Sequence, residues 1–195
     1  MSDIYDIIYH PDAVLKQVSS PISNITADIQ TQAEKMLDTM HAAKGIGLAA
    51  NQINIANRMF VMNVDPNCWE YVDKDSQVLS IQSAHRDGDE MTSNPLVMIN
   101  PEIVKQSEQK SVYTEGCLSI PEQFADIERP AHVTVQYVDI DGNKQTWDAS
   151  GLESHCIQHE LDHLNGVLFI DYLSRLKRGV LVRKLEKLKK AEGLI

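Results

Sequence analysis

The chain has 195 residues, of which 43% are hydrophobic, and it carries a formal net charge of −10. This size and composition suit one domain with a full hydrophobic core, and no apolar run approaches the ~20 residues of a membrane-spanning helix. The first residues lack a basic region followed by an apolar block, so we expect no signal peptide and a cytoplasmic location.

The charge is distributed unevenly along the chain. The stretch from Arg175 to Lys190 holds eight basic residues and one acidic residue, Glu186. Of the 18 basic and 28 acidic residues in the whole chain, this leaves 10 basic and 27 acidic residues for the remainder. An acidic body argues against direct, sequence-specific nucleic-acid binding, whereas the basic C-terminal stretch can contact an anionic partner.

The first predicted element is a helix from Thr26 to about Ala43. Thr26 is a suitable N-cap, and Gly45 is expected to end the helix. Apolar residues recur at helical spacing and give one core-facing side: Ile29, Ala33, Met36, Leu37 and Met40. Residues Arg58–Val64 are then predicted to form a mostly buried strand.

Between this helix and strand, residues 45–52 have the sequence Gly-Ile-Gly-Leu-Ala-Ala-Asn-Gln. Two glycines and two alanines leave little side-chain bulk, so a ligand or another backbone segment can come close. A tight packing turn would have the same composition, and the residues alone do not decide between these alternatives. Gln52 is the only long polar side chain in the stretch.

Residues 65–94 differ from the rest of the chain, because they are polar and acidic with few core-like runs. We predict a long loop or insertion here, with one short strand near Val78–Ile81. Loops of this length are uncommon unless they are functional or mobile, and a lid, a dimer contact and disorder remain open. Two strands are predicted after it, at Leu96–Asn100 and Ile103–Gln106, separated by a turn at Asn100-Pro101.

Residues 115–121 have the sequence Glu-Gly-Cys-Leu-Ser-Ile-Pro, which places Cys117 on a turn or at a strand end. The chain has two other cysteines, Cys68 and Cys156, and the three form no paired disulfide framework. In a reducing compartment such cysteines are more often metal ligands, nucleophiles or small core residues than disulfide partners.

Two further elements are predicted from local patterns. His132–Val138 alternates between apolar and polar residues, and Asp141-Gly142 predicts a hairpin with a return strand at Lys144–Asp148. A last helix is predicted from about Ser174. Its apolar stripe consists of Leu176, Val180, Leu185 and Leu188.

The most specific pattern lies in His155–Gly166, where His159, Glu160 and His163 match His-Glu-x-x-His. On a helix, the two histidines lie one turn apart on the same face, so both can bind one metal ion while Glu160 points to the same opening. Gly166 is expected to end the helix. The pattern lacks a third ligand, zinc endopeptidases share it, and the spacing can also occur by chance on a surface helix.

Three motifs taken together resemble the peptide deformylase family. They are residues 45–52, residues 115–121 and the sequence Gln-His-Glu-Leu-Asp-His at residues 158–163. The family carries such motifs in this order. The resemblance extends from about His10 to the last helix, but it leaves out most of residues 65–94, which are longer than the usual link.

The resemblance implies a fold of the α+β class. Antiparallel sheets would surround a central metal-binding helix, and a C-terminal amphipathic helix would pack outside. Residues 1–195 would form one catalytic domain, with an insertion or loop at 65–94 and a basic helix at 174–195.

The resemblance also implies the chemistry. One divalent cation would be bound by Cys117, His159 and His163. Fe(II) is the expected metal, and Ni, Co or Zn can replace it. Metal-bound hydroxide would attack the formyl carbon on the first methionine of a nascent peptide and release formate. Glu160 would act as general base and then as acid, while the Gln52 amide and the Leu118 N–H stabilise the oxyanion.

The implied substrate pocket includes Ile46, Gly47, Tyr113, Glu115, Gly116, Leu118, His155, Cys156, His159 and Arg129. Two positions depart from the family pattern. Phe124 stands where well-known members have an arginine that helps to hold the substrate backbone, and His155 stands where an aliphatic residue is common. We interpret His155 as a pocket-wall or surface residue outside the ligand register. Arg129 is expected to pair with Asp162.

N-formylmethionyl nascent peptides are the implied substrates, and the basic last helix is a candidate contact with the ribosome. A solvated amphipathic helix is the alternative for that segment, and no membrane partner is expected. A zinc endopeptidase is the alternative enzyme, although it would take its third ligand downstream as His or Glu instead of Cys117. A non-catalytic, metal-stabilised ribosome-binding module would require damage at Gln52, Cys117 or Glu160, and all three are intact.

Overall fold

A computed structural model describes residues 4–64, 95–191 and 193 of the chain. The helices are α1 (Ala27–Ala42), α2 (Gly151–Leu164) and α3 (Arg175–Ala191). The strands are β1 (Gly47–Ala49), β2 (Met59–Met62), β3 (Leu96–Gln106), β4 (Lys110–Cys117), β5 (Ile120–Pro130), β6 (His132–Val138) and β7 (Lys144–Ser150). Short 3₁₀ helices occur at Ala13–Lys16, Ala50–Ile53 and Phe169–Tyr172. The loop and strand predicted within residues 65–94 lie outside the described residues.

The strands form two antiparallel sheets. The larger sheet has five strands in the order β1-β2-β3-β6-β7, and β4 pairs with β5 in a separate two-stranded sheet. Helix α2 contacts strands of both sheets, whereas α3 packs on β5. The α+β fold with a central helix and a C-terminal helix is therefore confirmed. Among the described residues, no helix combines the length and the apolar character that crossing a membrane would require.

Helix α2 is buried along most of its length although much of its sequence is polar. Ten of its 14 residues are buried. The polar ones have partners, since Gln158 Nε2 and Ser154 Oγ both donate to the Pro130 carbonyl, at 3.0 and 3.1 Å. Ile157 and Leu164 pack into the core against the larger sheet. Because buried polar groups need hydrogen-bond partners, these contacts allow a polar helix to lie at the centre of the fold.

Helix α1 matches its predicted span within one residue at each end. Thr26 is the N-cap, although its side chain makes no capping hydrogen bond. The prediction that Gly45 ends the helix was wrong in detail, because Lys44 takes the left-handed conformation with φ 56°. The Lys44 N–H donates to the His41 carbonyl and the Gly45 N–H to the Met40 carbonyl, both at 2.9 Å. This pair of bonds is a Schellman motif.

Helix α2 begins at Gly151, directly after β7 and one turn before the predicted motif. Gly166 lies just beyond its C-terminal end with φ 72°, as predicted. The Gly166 N–H donates to the His163 carbonyl at 3.0 Å, and the Val167 N–H donates to the Asp162 carbonyl at 2.9 Å. The glycine therefore completes a second Schellman motif, which fixes the end of the helix next to His163.

Strand β3 corrects one sequence prediction. The two strands predicted on either side of Asn100-Pro101 are one strand, with irregular pairing between Ile99 and Glu102. Asn100 has φ 52°, and its side-chain amide makes two 2.8 Å hydrogen bonds with the backbone of Ile22. The Asn-Pro pair therefore produces an irregularity within the strand and not the predicted turn. The side-chain hydrogen bonds of Asn100 stabilise its left-handed backbone conformation, and the chain continues in the same direction.

The hairpin of β6 and β7 is confirmed. The two strands pair over all seven residues of each, and Gly142 has φ 88° in the turn. The β4–β5 hairpin was not predicted. Its outer face mixes charged side chains with exposed apolar ones, such as Val112 and Phe124, so the alternation typical of a half-buried strand is obscured.

Helix α3 buries a different face from the one predicted. Its buried residues are Leu181, Leu185 and Lys189. Leu176 is 77% exposed and Val180 is also exposed, so the predicted stripe was wrong in its first half. Lys189 Nζ donates to the His10 carbonyl at 3.1 Å. Leu181, Leu185 and Lys189 are spaced by four residues, so they lie on one face of α3, and this face packs against the rest of the domain. The hydrogen bond of Lys189 connects the helix to the N-terminal segment.

Replacing Gly166 with alanine is expected to lower the free energy of unfolding more than replacing Gly142. Both residues have positive φ, 72° and 88°, so alanine costs about 1–2 kcal/mol at either position. A Cβ on Gly166 would also lie 2.5 Å from the Lys16 carbonyl oxygen, whereas one on Gly142 would meet nothing within 4 Å. We expect the steric difference to add about 1–3 kcal/mol, measured by urea denaturation. Equal losses in the two variants would contradict the steric explanation.

Candidate metal centre and active site

Three side chains predicted as metal ligands meet at one point. Cys117 ends strand β4, while His159 and His163 lie one turn apart on α2. One donor atom from each lies within 4.8 Å of the other two, and all three residues are buried. Cys117 Sγ is 3.1 Å from His163 Nε2. Among the described residues, no other three histidine, cysteine or acidic side chains form such a group.

The chemistry of this group fits a divalent cation. Tetrahedral bonds of about 2.0–2.3 Å would place a sulfur and two imidazole nitrogens roughly 3.3–3.7 Å apart, close to the arrangement of Cys117 and the two histidines. Three protein donors leave one coordination position for water or substrate, as in catalytic sites. The donor types suit several borderline metals and do not choose among them.

The second nitrogen of His159 is held by a buried carboxylate. His159 Nδ1 lies 2.9 Å from Glu115 Oε2, which leaves Nε2 to face the metal group. Arg129 donates to both carboxylate oxygens of Glu115, at 2.5 and 3.0 Å, and to Asp162 Oδ2 at 2.7 Å. The predicted pairing of Arg129 with Asp162 is therefore present. Outer hydrogen bonds of this kind fix the tautomer and the orientation of a ligating histidine.

The local charges shift the pKa values of these groups. Burial disfavours the ionised form of Glu115, but hydrogen bonds from Arg129 and from histidine outweigh burial and hold the pKa of Glu115 below its ordinary value. Burial likewise opposes protonation of His159, but hydrogen bonds to Cys117 and Glu115 outweigh it and raise the pKa of His159. Burial and the charge of His159 lower the pKa of His163. The lowered pKa of His163 favours the neutral imidazole, the form of histidine that binds metals.

Glu160 is the one buried carboxyl group in the site whose second oxygen lacks a hydrogen-bond partner among the described residues. It is 3% exposed, and the unpartnered atom is Oε2. Its side chain lies against the backbone of Gly47, where a Cβ would be 2.8 Å from Glu160 Cδ. Burial raises the pKa of Glu160 to about 7. A bound cation would act in the opposite direction, because it favours the carboxylate.

The side-chain amide of Gln52 is fixed at both ends. Its Oε1 accepts the Ala49 N–H at 2.8 Å, while Nε2 donates to Ser119 Oγ at 3.1 Å and lies 3.5 Å from Cys117 Sγ. Ser119 was not singled out as a site residue, although it belongs to the same motif as the cysteine. The amide N–H is therefore aimed at the metal group before any ligand binds.

These residues surround a small cleft of about 240 Å³ that opens to solvent. Its lining residues are Gly45, Ile46, Gly47, Gln52, Gly116, Cys117, Leu118, His159 and Glu160. Five residues predicted for the substrate pocket are among them: Ile46, Gly47, Gly116, Leu118 and His159. Gly45 was not predicted as a site residue, although the same small-residue signal covers it.

Other predicted pocket residues lie behind the cleft lining. Cys156 Sγ is 3.7 Å from the Ile46 carbonyl oxygen, and the Tyr113 ring packs on His155 with a centroid distance of 4.5 Å. His155 is 0% exposed and lies four residues before His159 on the same helix face. The surface alternative for His155 was therefore wrong. His155 shares the helix face of the two other histidines, but it lies outside the group of Cys117, His159 and His163, as expected. Phe124 is 44% exposed on β5, outside the lining.

Comparisons with known proteins agree on one family. The family model for polypeptide deformylase matches residues 4–179. The peptide deformylase of Rhizobium meliloti (strain 1021) is 47% identical over 190 residues, which are 97% of this chain and 97% of that protein. The crystal structure of peptide deformylase from Ehrlichia chaffeensis has a TM-score of 0.83 and 37% identity, covering 99% of this chain and 100% of that chain. The structure of peptide deformylase from Ehrlichia chaffeensis in complex with actinonin has a TM-score of 0.79 and 38% identity, with 98% and 99% covered.

We expect the protein to bind one equivalent of cobalt(II) and to show a sulfur-to-cobalt charge-transfer absorption in the near ultraviolet. Cys117→Ala should lose this absorption, because Cys117 supplies the only sulfur in the ligand group. Cys156→Ala is the matched control, since Cys156 is also a buried cysteine but lies outside the group. An anaerobic titration followed by absorption measures both. Loss of the band in both variants, or in neither, would contradict the ligand assignment.

Proposed function

Because the chain belongs to the polypeptide deformylase family, we propose that its cleft binds the formylated end of a peptide next to Cys117, His159 and His163. The protein is a metal-dependent hydrolase that removes the formyl group from nascent peptides. One observation supports the site most directly: three metal-type donors, an unpartnered carboxylate and a fixed glutamine amide converge on one cleft of the described structure.

We propose Fe(II) as the natural metal, with Ni, Co or Zn able to replace it. A cation held by the three ligands would lower the pKa of a water molecule and polarise the formyl oxygen. A thiolate with two imidazoles is compatible with each of these metals. The choice of iron therefore rests on the family and requires a direct comparison of metals.

Glu160 is the proposed general base and acid. Its side chain lines the cleft, and Oε2 makes no hydrogen bond with any described residue, which supports its assignment as the acceptor of a proton from water. As the carbon–nitrogen bond of the formamide breaks, the same carboxyl group can pass the proton to the leaving amine. The products are formate and a peptide with a free methionine N-terminus.

The oxyanion formed on the formyl group needs hydrogen-bond donors. Gln52 is one proposed donor, because the Ala49 N–H holds its Oε1 and leaves Nε2 aimed at the ligand group. The N–H of Leu118 is the second, since Leu118 follows Cys117 directly and lines the cleft. Removal of one such donor typically raises the barrier by ~2.7–4 kcal/mol.

The methionine side chain is proposed to lie in the part of the cleft with little side-chain bulk. The lining residues assigned to it are Ile46, Gly47, Gly116 and Leu118. The residues assigned to the wall behind them are Tyr113, Glu115, His155, Cys156 and Arg129. A flexible thioether adapts to such an irregular site. Gly47 is proposed to offer its backbone to the peptide, and Phe124 replaces the arginine expected to share that task.

We further propose that residues 1–195 form one catalytic domain that works in the cytoplasm, and that α3 contacts the ribosome. The family match over residues 4–179 supports the single domain. The exposed basic residues of α3 are Arg175, Lys177, Arg183, Lys184, Lys187 and Lys190. A basic surface of this kind suits the anionic backbone of ribosomal RNA.

Formate release from a formyl-Met-Ala-Ser peptide should be faster with iron or nickel than with zinc. Glu160→Gln should lower kcat by about 10²–10⁴-fold at unchanged metal content, because the variant keeps the shape of the side chain but cannot carry the proton. The measurement is anaerobic turnover on protein loaded separately with each metal, beside metal analysis of every sample.

Two further variants sharpen this test. Gly47→Ala should lower kcat with the metal retained, because the added methyl group would displace the Glu160 carboxyl group. Glu153→Gln is the matched control, since Glu153 is an acid of the same helix outside the cleft, and it should leave turnover unchanged. Near-normal turnover of Glu160→Gln would remove Glu160 from the proposed mechanism.

Reversing three exposed charges on α3, as Lys184→Glu, Lys187→Glu and Lys190→Glu together, should weaken co-sedimentation with ribosomes by at least about tenfold. The physical reason is the loss of contacts between lysine and RNA phosphate, and the effect should diminish as salt is raised. Turnover of the short peptide should stay unchanged, because these exposed side chains do not line the cleft.

A matched control changes net charge by the same amount on another surface, with Lys105→Glu, Lys110→Glu and Lys144→Glu. This control should co-sediment as the wild type does. Equal losses for both triple variants would show that net charge alone matters, and unchanged binding of the α3 variant would reject docking through this helix.

A further inference from the structure

Helix α2 carries a third histidine in line with the two metal ligands. His155, His159 and His163 are spaced by four residues and project from one face of the helix. Opposite them, β4 presents Ser111, Tyr113 and Glu115 on one face, and Cys117 follows after an irregularity in the strand pairing. Four helical residues advance about 6.0 Å and two strand residues about 6.8 Å, so the two rows stay near each other over about two turns of the helix.

The contacts of His155 are specific on each side of its ring. Nε2 lies 2.9 Å from Ser111 Oγ, and Nδ1 lies 3.4 Å from Glu115 Oε1. The Tyr113 ring packs on the imidazole at a centroid distance of 4.5 Å. The other oxygen of the same carboxylate accepts from His159 Nδ1 at 2.9 Å. His155 therefore reaches a proposed metal ligand through a single carboxylate.

We propose that His155 is a positioning residue that holds Glu115, and through it the imidazole of His159, in the orientation that metal binding requires. This inference rests on the proposed function, in which His159 is a ligand. Nδ1–H is the donor that the Glu115 carboxylate requires, and the Ser111 hydroxyl, which can donate or accept, satisfies Nε2.

Counting donors shows why Glu115 needs His155 in addition to Arg129. An ionised carboxylate has about four acceptor positions. Arg129 occupies one on each oxygen, His159 takes the second on Oε2, and His155 takes the second on Oε1. Because Glu115 is fully buried, water cannot replace a missing donor, and one acceptor position on the carboxylate would be left without a hydrogen bond. Loss of His155 would therefore let the carboxylate rotate away from His159.

The alternative is that His155 only fills space between α2 and β4. The test must therefore distinguish the effect of side-chain shape from the effect of the hydrogen bonds. His155→Leu keeps most of the volume and removes both nitrogen atoms. His155→Asn is smaller but can place an amide N–H near the position of Nδ1, facing Glu115. If the hydrogen bonds of His155 matter, the asparagine variant should retain metal better than the leucine variant. If only packing matters, the leucine variant should retain metal better.

The experiment measures how fast nickel leaves the loaded protein in excess chelator, together with the ligand-field absorption of the cobalt form. We expect His155→Leu to release nickel about 10–100-fold faster than the wild type and to shift the cobalt bands. His155→Asn should stay within about threefold of the wild type in nickel release. With metal content corrected, kcat on the formylated peptide should fall in His155→Leu while KM changes little.

The proposal is overturned if His155→Leu releases nickel at the wild-type rate with unchanged cobalt bands, or if His155→Asn is no better than His155→Leu. Should the leucine variant fail to fold, Ser111→Ala decides, because it removes only the hydroxyl that orients Nε2. We expect that variant to release nickel roughly threefold faster, and an unchanged rate overturns the proposal. Metal release does not depend on turnover, so failure of the proposed substrate would appear separately, as absent formate release in the wild type.

Discussion

The site depends on one buried negative charge, the carboxylate of Glu115. An isolated charge in this position would be strongly destabilising, because it has no water around it. Arg129 supplies the opposite charge and continues to Asp162, 2.7 Å away, while its guanidinium lies 4.8 Å from the centre of the Tyr172 ring. The same carboxylate orients His159. One network therefore joins β4, β5, α2 and the 3₁₀ helix after α2, and the interactions that hold these elements together also orient His159, a proposed metal ligand.

The glycine-rich stretch at residues 45–52 forms the other wall of the site, and its glycines have no side chains that would fill the space there. A Cβ on Gly45 would lie 2.8 Å from Leu118 Cδ1, and a Cβ on Gly47 would collide with Glu160. From composition alone, a close approach by a ligand and a tight packing turn were equally compatible with these residues. The structure shows a third use, since the small residues admit the side chains of the two other motifs. The backbone of Gly47 and the side chain of Glu160 meet directly, which leaves little freedom for Glu160 to move.

Local signals account for the parts of the fold that were predictable. The helical spacing of α1 and α2, the left-handed Gly166 and the Asp-Gly turn all act within a few residues of the chain. The wrong predictions concern features that depend on contacts with residues distant in sequence. The buried face of α3 depends on Lys189 reaching the His10 carbonyl, 179 residues away in sequence. The burial and contacts of His155 depend on β4, whose pairing with β5 had no clear local pattern, so the surface alternative for His155 could not be excluded from the sequence.

The structure also separates two glutamates that motif spacing treats alike. Glu115 and Glu160 each belong to a motif that contains a ligand, and both are buried. Glu115 accepts from four donors, which hold it as a carboxylate and keep its pKa below the ordinary value. Glu160 Oε2 accepts none from the described residues, and burial raises the pKa of Glu160 to about 7. Groups whose surroundings move their pKa values apart take different roles in one site. The four donors on Glu115 suit a carboxylate that orients its neighbours, whereas the unpartnered oxygen of Glu160 suits the proposed exchange of a proton. The number of donors that each glutamate meets therefore supports two different proposed roles.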